Sequence, residues 1–255
     1  MYITMFLLGL FSGTITGLLS IGGGIILIFT LMILLPFIFD THFPMQVIAG
    51  LAIMQAFFST LSGGLYYVRT KLVDIKIVLM IGIPAFFGGI MGVMLASHSP
   101  EIFLQIFFAS LAILASIVMQ IPLKDGEGLK PFEFTYLSIT LTIISSFIIG
   151  VLGGLVGLAA GFIFVPLMIF VFKLPIKKAI GSSLITCFLL SAGSFITILS
   201  VGSLPLGYGV MLIIGGILGA QIGGRITKQL NSIVLKRIAA YSILIISVKL
   251  FFDLF

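Results

Sequence analysis

The chain has 255 residues, of which 60% are hydrophobic and 8% charged, and its mean hydropathy is +1.38. A soluble domain carries about 25% charged residues, so a water-facing surface is excluded and lipid must be the solvent. The net charge of +6 belongs to short loops in so apolar a chain, where it sets orientation, and does not indicate nucleic-acid binding.

Met1, Tyr2, Ile3 and Thr4 lack the basic region of a signal peptide, so the first apolar run, 2–20, is expected to be a retained helix. Gly22, Gly23 and Gly24 follow it, then a shorter run over 25–39 and a loop over 40–44. Further runs cover 47–68, 77–96 and 102–121. The most polar stretch, 124–133, lies near the midpoint. Beyond it come runs over 134–158, 162–172, 179–201, 206–223 and 233–252. A crossing needs roughly 20 apolar residues. The pattern therefore predicts an all-α integral membrane protein of ten hydrophobic segments, two of them short, with no space for a soluble catalytic domain.

The two halves resemble each other. A shift of 131 pairs Pro44 with Pro175, Gly50 with Gly181, Phe57 with Phe188, Gly88 with Gly219 and Gly92 with Gly223. A shift of 137 pairs Gly13 with Gly150, Gly17 with Gly154 and Gly24 with Gly161. The spacing predicts one repeat over 1–121, a cytoplasmic linker over 122–133 and a second repeat over 134–255. Arg69, Lys71 and Lys76, then Lys124 and Lys130, then Lys173, Lys177 and Lys178, then Arg225 and Lys228 fall on one side of a ten-segment chain. Positive loops stay in the cytoplasm, so both termini are expected to be periplasmic in a multi-pass protein of the plasma (inner) membrane. Five segments per copy then make the repeats inverted.

The breaks at Gly22, Gly23 and Gly24 and at Ala159, Ala160 and Gly161 are expected to reverse the chain. At 1.5 Å per residue the arms that follow span only about 22 Å and about 16 Å, short of a core about 30 Å thick. Re-entrant or broken hairpins are favoured. Inverted copies would bring the two tips together from opposite faces, each with a helix N-terminus and its unpaired N–H groups directed at the centre. An anion is the ligand such a place suits. The competing reading is that the glycines only allow close helix packing. Inside the runs, Ser182, Ser183 and Thr186 enter the eighth segment, and Gln55 is the repeat counterpart of Thr186. Hydroxyls and amides hold an anion without burying a cation; alternatively they bond their own helices. The expected substrate-binding set is Gly22, Gly23, Gly24, Gln55, Ala160, Gly161, Ser182, Ser183 and Thr186.

Asp40, Asp74, Glu101 and Asp253 all fall at segment ends or in loops, which argues against a cation site or a carboxylate proton relay. A single cysteine, Cys187, and two histidines, His42 and His98, supply no metal cluster. No His-Glu-x-x-His motif occurs, and no paired carboxylates lie at depth. These features predict no enzyme, no cofactor and no metal. A membrane-embedded enzyme or assembly factor is the weaker rival to a transporter of a small anion. A channel, or a permease for a carboxylate or neutral solute, is the nearer one.

The stretch from Gly17 through Ser20 to Gly24, the second-copy stretch from Gly154 through Gly161 to Pro166, and Ala179-Ile180-Gly181-Ser182-Ser183-Leu184 resemble the TauE/SafE sulfite exporter family, also called the toluene sulfonate uptake permeases. The resemblance covers the whole length. It implies secondary transport, by export or uptake, of a small sulfur-containing anion such as sulfite or an organosulfonate. Two departures are Ala159-Ala160, where that family tends to glycine, and Phe29, at the position matching Pro166.

Overall fold

The computed structural model describes residues 1–20, 23–120, 135–201 and 204–229. The described residues form nine helices and no strand: α1 (Tyr2–Leu19), α2 (Gly23–Phe39), α3 (Met45–Arg69), α4 (Ile75–Ser97), α5 (Glu101–Gln120), α6 (Tyr136–Val156), α7 (Gly161–Phe170), α8 (Ile176–Val201) and α9 (Leu206–Gln229). Each occupies one of the expected runs. The tenth run, 233–252, and the linker, 122–133, lie outside the described residues. Six helices, α1, α3, α4, α6, α8 and α9, are long and apolar enough to cross a membrane. The outer surface carries rows of exposed apolar side chains at helical spacing, such as Leu79, Ile83 and Phe87 on α4 and Leu141, Ile144 and Ile148 on α6. Such continuous apolar bands face lipid, not water.

The centre is built by α3 and α8. Along its most apolar stretch α3 is 78% buried, more than any other candidate span, which makes it the axial helix. Phe57 of α3 stacks on Phe188 and Phe195 of α8, with ring centroids 5.2 and 5.0 Å apart.

The most extensive helix pairs are α1 with α9 and α4 with α6, so the outer helices of each half are held by the other half. Both pairs run parallel. Gly9, Gly13 and Gly17 of α1 lie against Leu212, Gly216 and Ala220 of α9. Gly150 and Gly154 of α6 lie against Ala85 and Gly89 of α4. At each place an added Cβ would enter the partner's backbone. In lipid the helices gain little by hiding apolar surface from each other, so close backbone approach through small residues supplies the attraction. Polar side chains reinforce it. Ser62 donates to the Ile217 carbonyl at 3.0 Å, and the Gln221 amide donates back to the Ser62 carbonyl at 2.8 Å.

The short arms α2 and α7 pack against α3 and α8 respectively. With 10 residues, α7 is about 15 Å long and cannot cross a bilayer.

Candidate functional site

In each hairpin a left-handed residue closes the first helix. Ser20 ends α1 with φ 52°, its N–H bonded to the Thr16 carbonyl. Gly157 ends α6 with φ 78°, its N–H bonded to the Gly153 carbonyl. The two positions are related by the shift of 137. Ala160 adopts φ 51° and starts α7 with no side-chain cap. A non-glycine residue in this region costs about 1–2 kcal/mol, so both tips carry conformational strain held by their surroundings.

The tips touch. A Cβ on Gly24 would lie 3.7 Å from the Gly157 carbonyl oxygen and 3.6 Å from the Leu158 side chain. One on Gly161 would enter the Ser20 carbonyl and stand 3.1 Å from the Cys187 sulfur. The Ser20 and Ser183 hydroxyls share a hydrogen bond at 3.0 Å, and the Cys187 thiol sits 4.0 and 3.9 Å from them. Ser20, Ala160, Ser183 and Cys187 are all buried. The start of α7 and the end of α1 thus meet on the side of α8.

The expected residues divide accordingly. Gly24, Ala160, Gly161 and Ser183 come together at the tips. Gly23 also lies in the first hairpin, but against Ser12 and Thr16 of α1. Gly22 lies outside the described residues. Ser182 faces away: its hydroxyl accepts from the Asp74 N–H at 2.8 Å. Thr186 donates to the Ser182 carbonyl of its own helix at 3.1 Å. Gln55 is fully buried, and neither its amide nitrogen nor its oxygen has a hydrogen-bond partner. It lies against Gly216, where a Cβ would stand 2.9 Å from the amide nitrogen. No bond joins it to Thr186. Sequence reasoning missed Ser20 and Cys187. The signal for Ser20 was its match with Gly157 under the shift of 137; Cys187 is one helical turn beyond Ser183, so it shares that residue's face.

Two clefts open beside this core. The larger, about 310 Å³, is walled by Val47, Ala49, Ile53, Ala96, Gly154, Ile198 and Leu204. It reaches from the start of α3 down to the end of α6. The smaller, about 120 Å³, lies near His42, Glu101 and Gln105. On the other side of the bundle the Lys178 ammonium pairs with the Asp74 carboxylate at 3.0 Å. The Tyr67 hydroxyl there donates to the Gly17 carbonyl at 3.1 Å. No cluster of metal-binding side chains occurs among the described residues.

Long apolar helices around two broken hairpins, with buried polar groups at the centre, are the architecture of a membrane transporter. The family model for the sulfite exporter TauE/SafE matches residues 5–250, and the chain belongs to that family. It is a membrane transporter, not an enzyme. The chain is 26% identical to the probable membrane transporter protein YunE of Bacillus subtilis (strain 168), over 99% of this chain and 98% of that protein. It is 28% identical to the probable membrane transporter protein YdhB of the same strain, over 92% of each. No solved structure matches the chain.

Proposed function

We propose that the protein is a secondary transporter of a small sulfur-containing anion, sulfite or an organosulfonate. In this reading it is built as two inverted five-segment repeats that hold the substrate between the hairpin tips and Gln55. The observation that carries the site is the Gln55 amide. A buried polar group left without a partner costs about 1–3 kcal/mol, and Gln55 leaves two such atoms where α3 meets α9. A ligand that accepts from the amide nitrogen offsets that cost. The tips add backbone N–H groups at the starts of α2 and α7.

The repeat is supported by matched contacts. The Gly13–Gly216 and Gly17–Ala220 approaches have their counterparts in Gly150–Ala85 and Gly154–Gly89. Phe57 and Phe188 are equivalent positions and stack on each other, as equivalent residues do beside a two-fold axis. The basic loops then face the cytoplasm, with both termini on the outer side of the plasma membrane. The largely apolar walls of the 310 Å³ cleft, which only Gln46 and Ser97 interrupt, favour an anion with an organic body over bare sulfite.

The test is Gln55→Leu, close to Gln in volume but without the amide. Purified in detergent, the variant should be more stable than wild type by about 1–3 kcal/mol. The thermal shift that sulfite, thiosulfate, sulfoacetate or taurine gives the wild type should be lost or weakened at least tenfold in concentration. Simple carboxylates serve as the control set. A Gln55→Leu protein that binds as wild type does would make Gln55 packing material and move the site elsewhere. Saturable counterflow in liposomes distinguishes a carrier from a channel, whose flux rises linearly.

A further inference from the structure

The repeat relation maps the walls of the outer cleft onto the opposite face of the bundle, and there the same positions are filled. Ile198 and Gly154 both line the 310 Å³ cleft. Their counterparts are Tyr67 and Gly17, and the Tyr67 hydroxyl closes the gap by donating to the Gly17 carbonyl at 3.1 Å. Ala96 lines the cleft. Its counterpart Thr227 donates to the Leu18 carbonyl at 3.0 Å, which joins α9 to α1 beside Tyr67.

The loop below is fastened as well. Leu204 leans over Gly50 at the cleft mouth by apolar contact. On the other face Gly181 is packed against Leu72 and Tyr67, where a Cβ would lie 2.9 Å from the ring. The Asp74 N–H donates to Ser182 at 2.8 Å, and Lys178 pairs with the Asp74 carboxylate at 3.0 Å. Val47, at the position matching Lys178, lines the open cleft and has no charge to offer. Two related entrances therefore differ: one is open, and one is plugged by a 1% exposed tyrosine and latched by an ion pair.

We infer that Tyr67 is the inner gate of the transport path. It is seated on Gly17 and held by the Ser182–Asp74–Lys178 latch, and the conformation seen is open to the outside and closed to the cytoplasm. The inference rests on the inverted-repeat reading. A ring that leaves Gly17 opens a passage between α1, α3 and α8 to the underside of the tips, where Ser20 and Ser183 meet. Closing the other cleft by approach of Ile198 and Leu204 to Gly154 would complete the exchange. Each state needs contacts that the other lacks, which is what makes the element bistable.

The test uses single cysteines in a Cys187→Ser background and a membrane-impermeant maleimide, applied to right-side-out and inside-out vesicles. Ala96→Cys should react from outside, and Thr227→Cys should be slow from the cytoplasmic side. Adding Tyr67→Ile, the residue found at the equivalent position, should raise the Thr227→Cys rate about tenfold or more and lower the Ala96→Cys rate. Tyr67→Phe keeps the ring and loses only a hydrogen bond of modest net worth. It should raise the Thr227→Cys rate about two- to tenfold, and it serves if the isoleucine variant does not fold. Reaction of Ala96→Cys and Thr227→Cys from the same face overturns the inverted repeat itself. Reaction from opposite faces, with rates that neither Tyr67 variant changes, leaves the repeat standing and overturns Tyr67 as the gate.

Discussion

Ala160 and Gly161 are adjacent and carry opposite constraints. Ala160 holds φ at 51°, so glycine there relieves about 1–2 kcal/mol of strain. Glycine also gives up a buried methyl, about 0.8 kcal/mol, and makes the unfolded chain looser by about 0.4–1 kcal/mol. The terms nearly cancel, so Ala160→Gly should melt within a few degrees of wild type. Gly161→Ala pushes a methyl into the Ser20 carbonyl, where backbone must move, and overpacking of this kind costs about 1–3 kcal/mol. A melting comparison in detergent checks the pair; equal midpoints for Gly161→Ala and wild type would mean the tips do not touch. The sequence pointed to this spot through its glycines, but it did not separate their jobs. Of the expected reversal at Gly22, Gly23 and Gly24, Gly22 lies outside the described residues, while Gly23 and Gly24 are already helical residues of α2 and the left-handed residue that closes α1 is Ser20. Composition shows that a position is small. It does not show whether smallness serves a positive φ or a close approach.

Helix α2 shows what Gly23 is for. Its lack of a side chain lets the start of α2 lie against the Ser12 carbonyl and the Thr16 hydroxyl of α1, which folds the two arms into a narrow hairpin. Gly23→Val should therefore abolish transport by splaying α2 from α1, while Gly207→Val on α9, where a Cβ would stand 3.3 Å from the exposed Tyr2 side chain, which can swing aside, should leave most of it. Transport normalised to membrane-inserted protein decides; comparable activity in the two variants would remove the hairpin from the transport path. Element positions were legible because apolar runs end at charge, proline or glycine. Element partners were not. Nothing in α1 alone says that its glycine face belongs to α9 and not to its neighbour in sequence, because a small-residue stripe fits any similar stripe.

For the molecule as a whole, the matched glycines and prolines on which the proposed inverted repeat rests were legible in the sequence, but the difference between the two matched regions was not. Val47 and Lys178, or Ile198 and Tyr67, are related by the shift of 131 and unlike in chemistry, and only their surroundings distinguish them. The latch also bears on pH. Burial would raise the Asp74 carboxyl, but the Lys178 ammonium and the N–H groups of Ile77 and Lys76 outweigh it and hold the group below its ordinary 3.8. A carboxyl lowered on folding lends stability that is present above its unfolded pKa and is lost only as pH falls through the lower folded value. The Asp74 carboxyl therefore stays ionised at cellular pH. Transport by Asp74→Asn relative to wild type should be the same ratio at pH 6 and pH 8. A ratio that changes across that interval would mean that Asp74 gains a proton during the cycle.

The exchange of outer helices between halves has a consequence for how the chain is made. Synthesis runs from the N-terminus, so α1 enters the bilayer with its glycine face uncovered, and the partner that covers it, α9, follows almost two hundred residues later. Until then Gly9, Gly13 and Gly17 form an open adhesive strip in a membrane crowded with other newly made helices. The glycine face of α6 meets no such delay, because α4 is already in place when α6 is inserted. The first hairpin, though first to be built, is thus the last to be locked, and the interval before α9 arrives is when this protein is most open to wrong partners and to quality-control proteases.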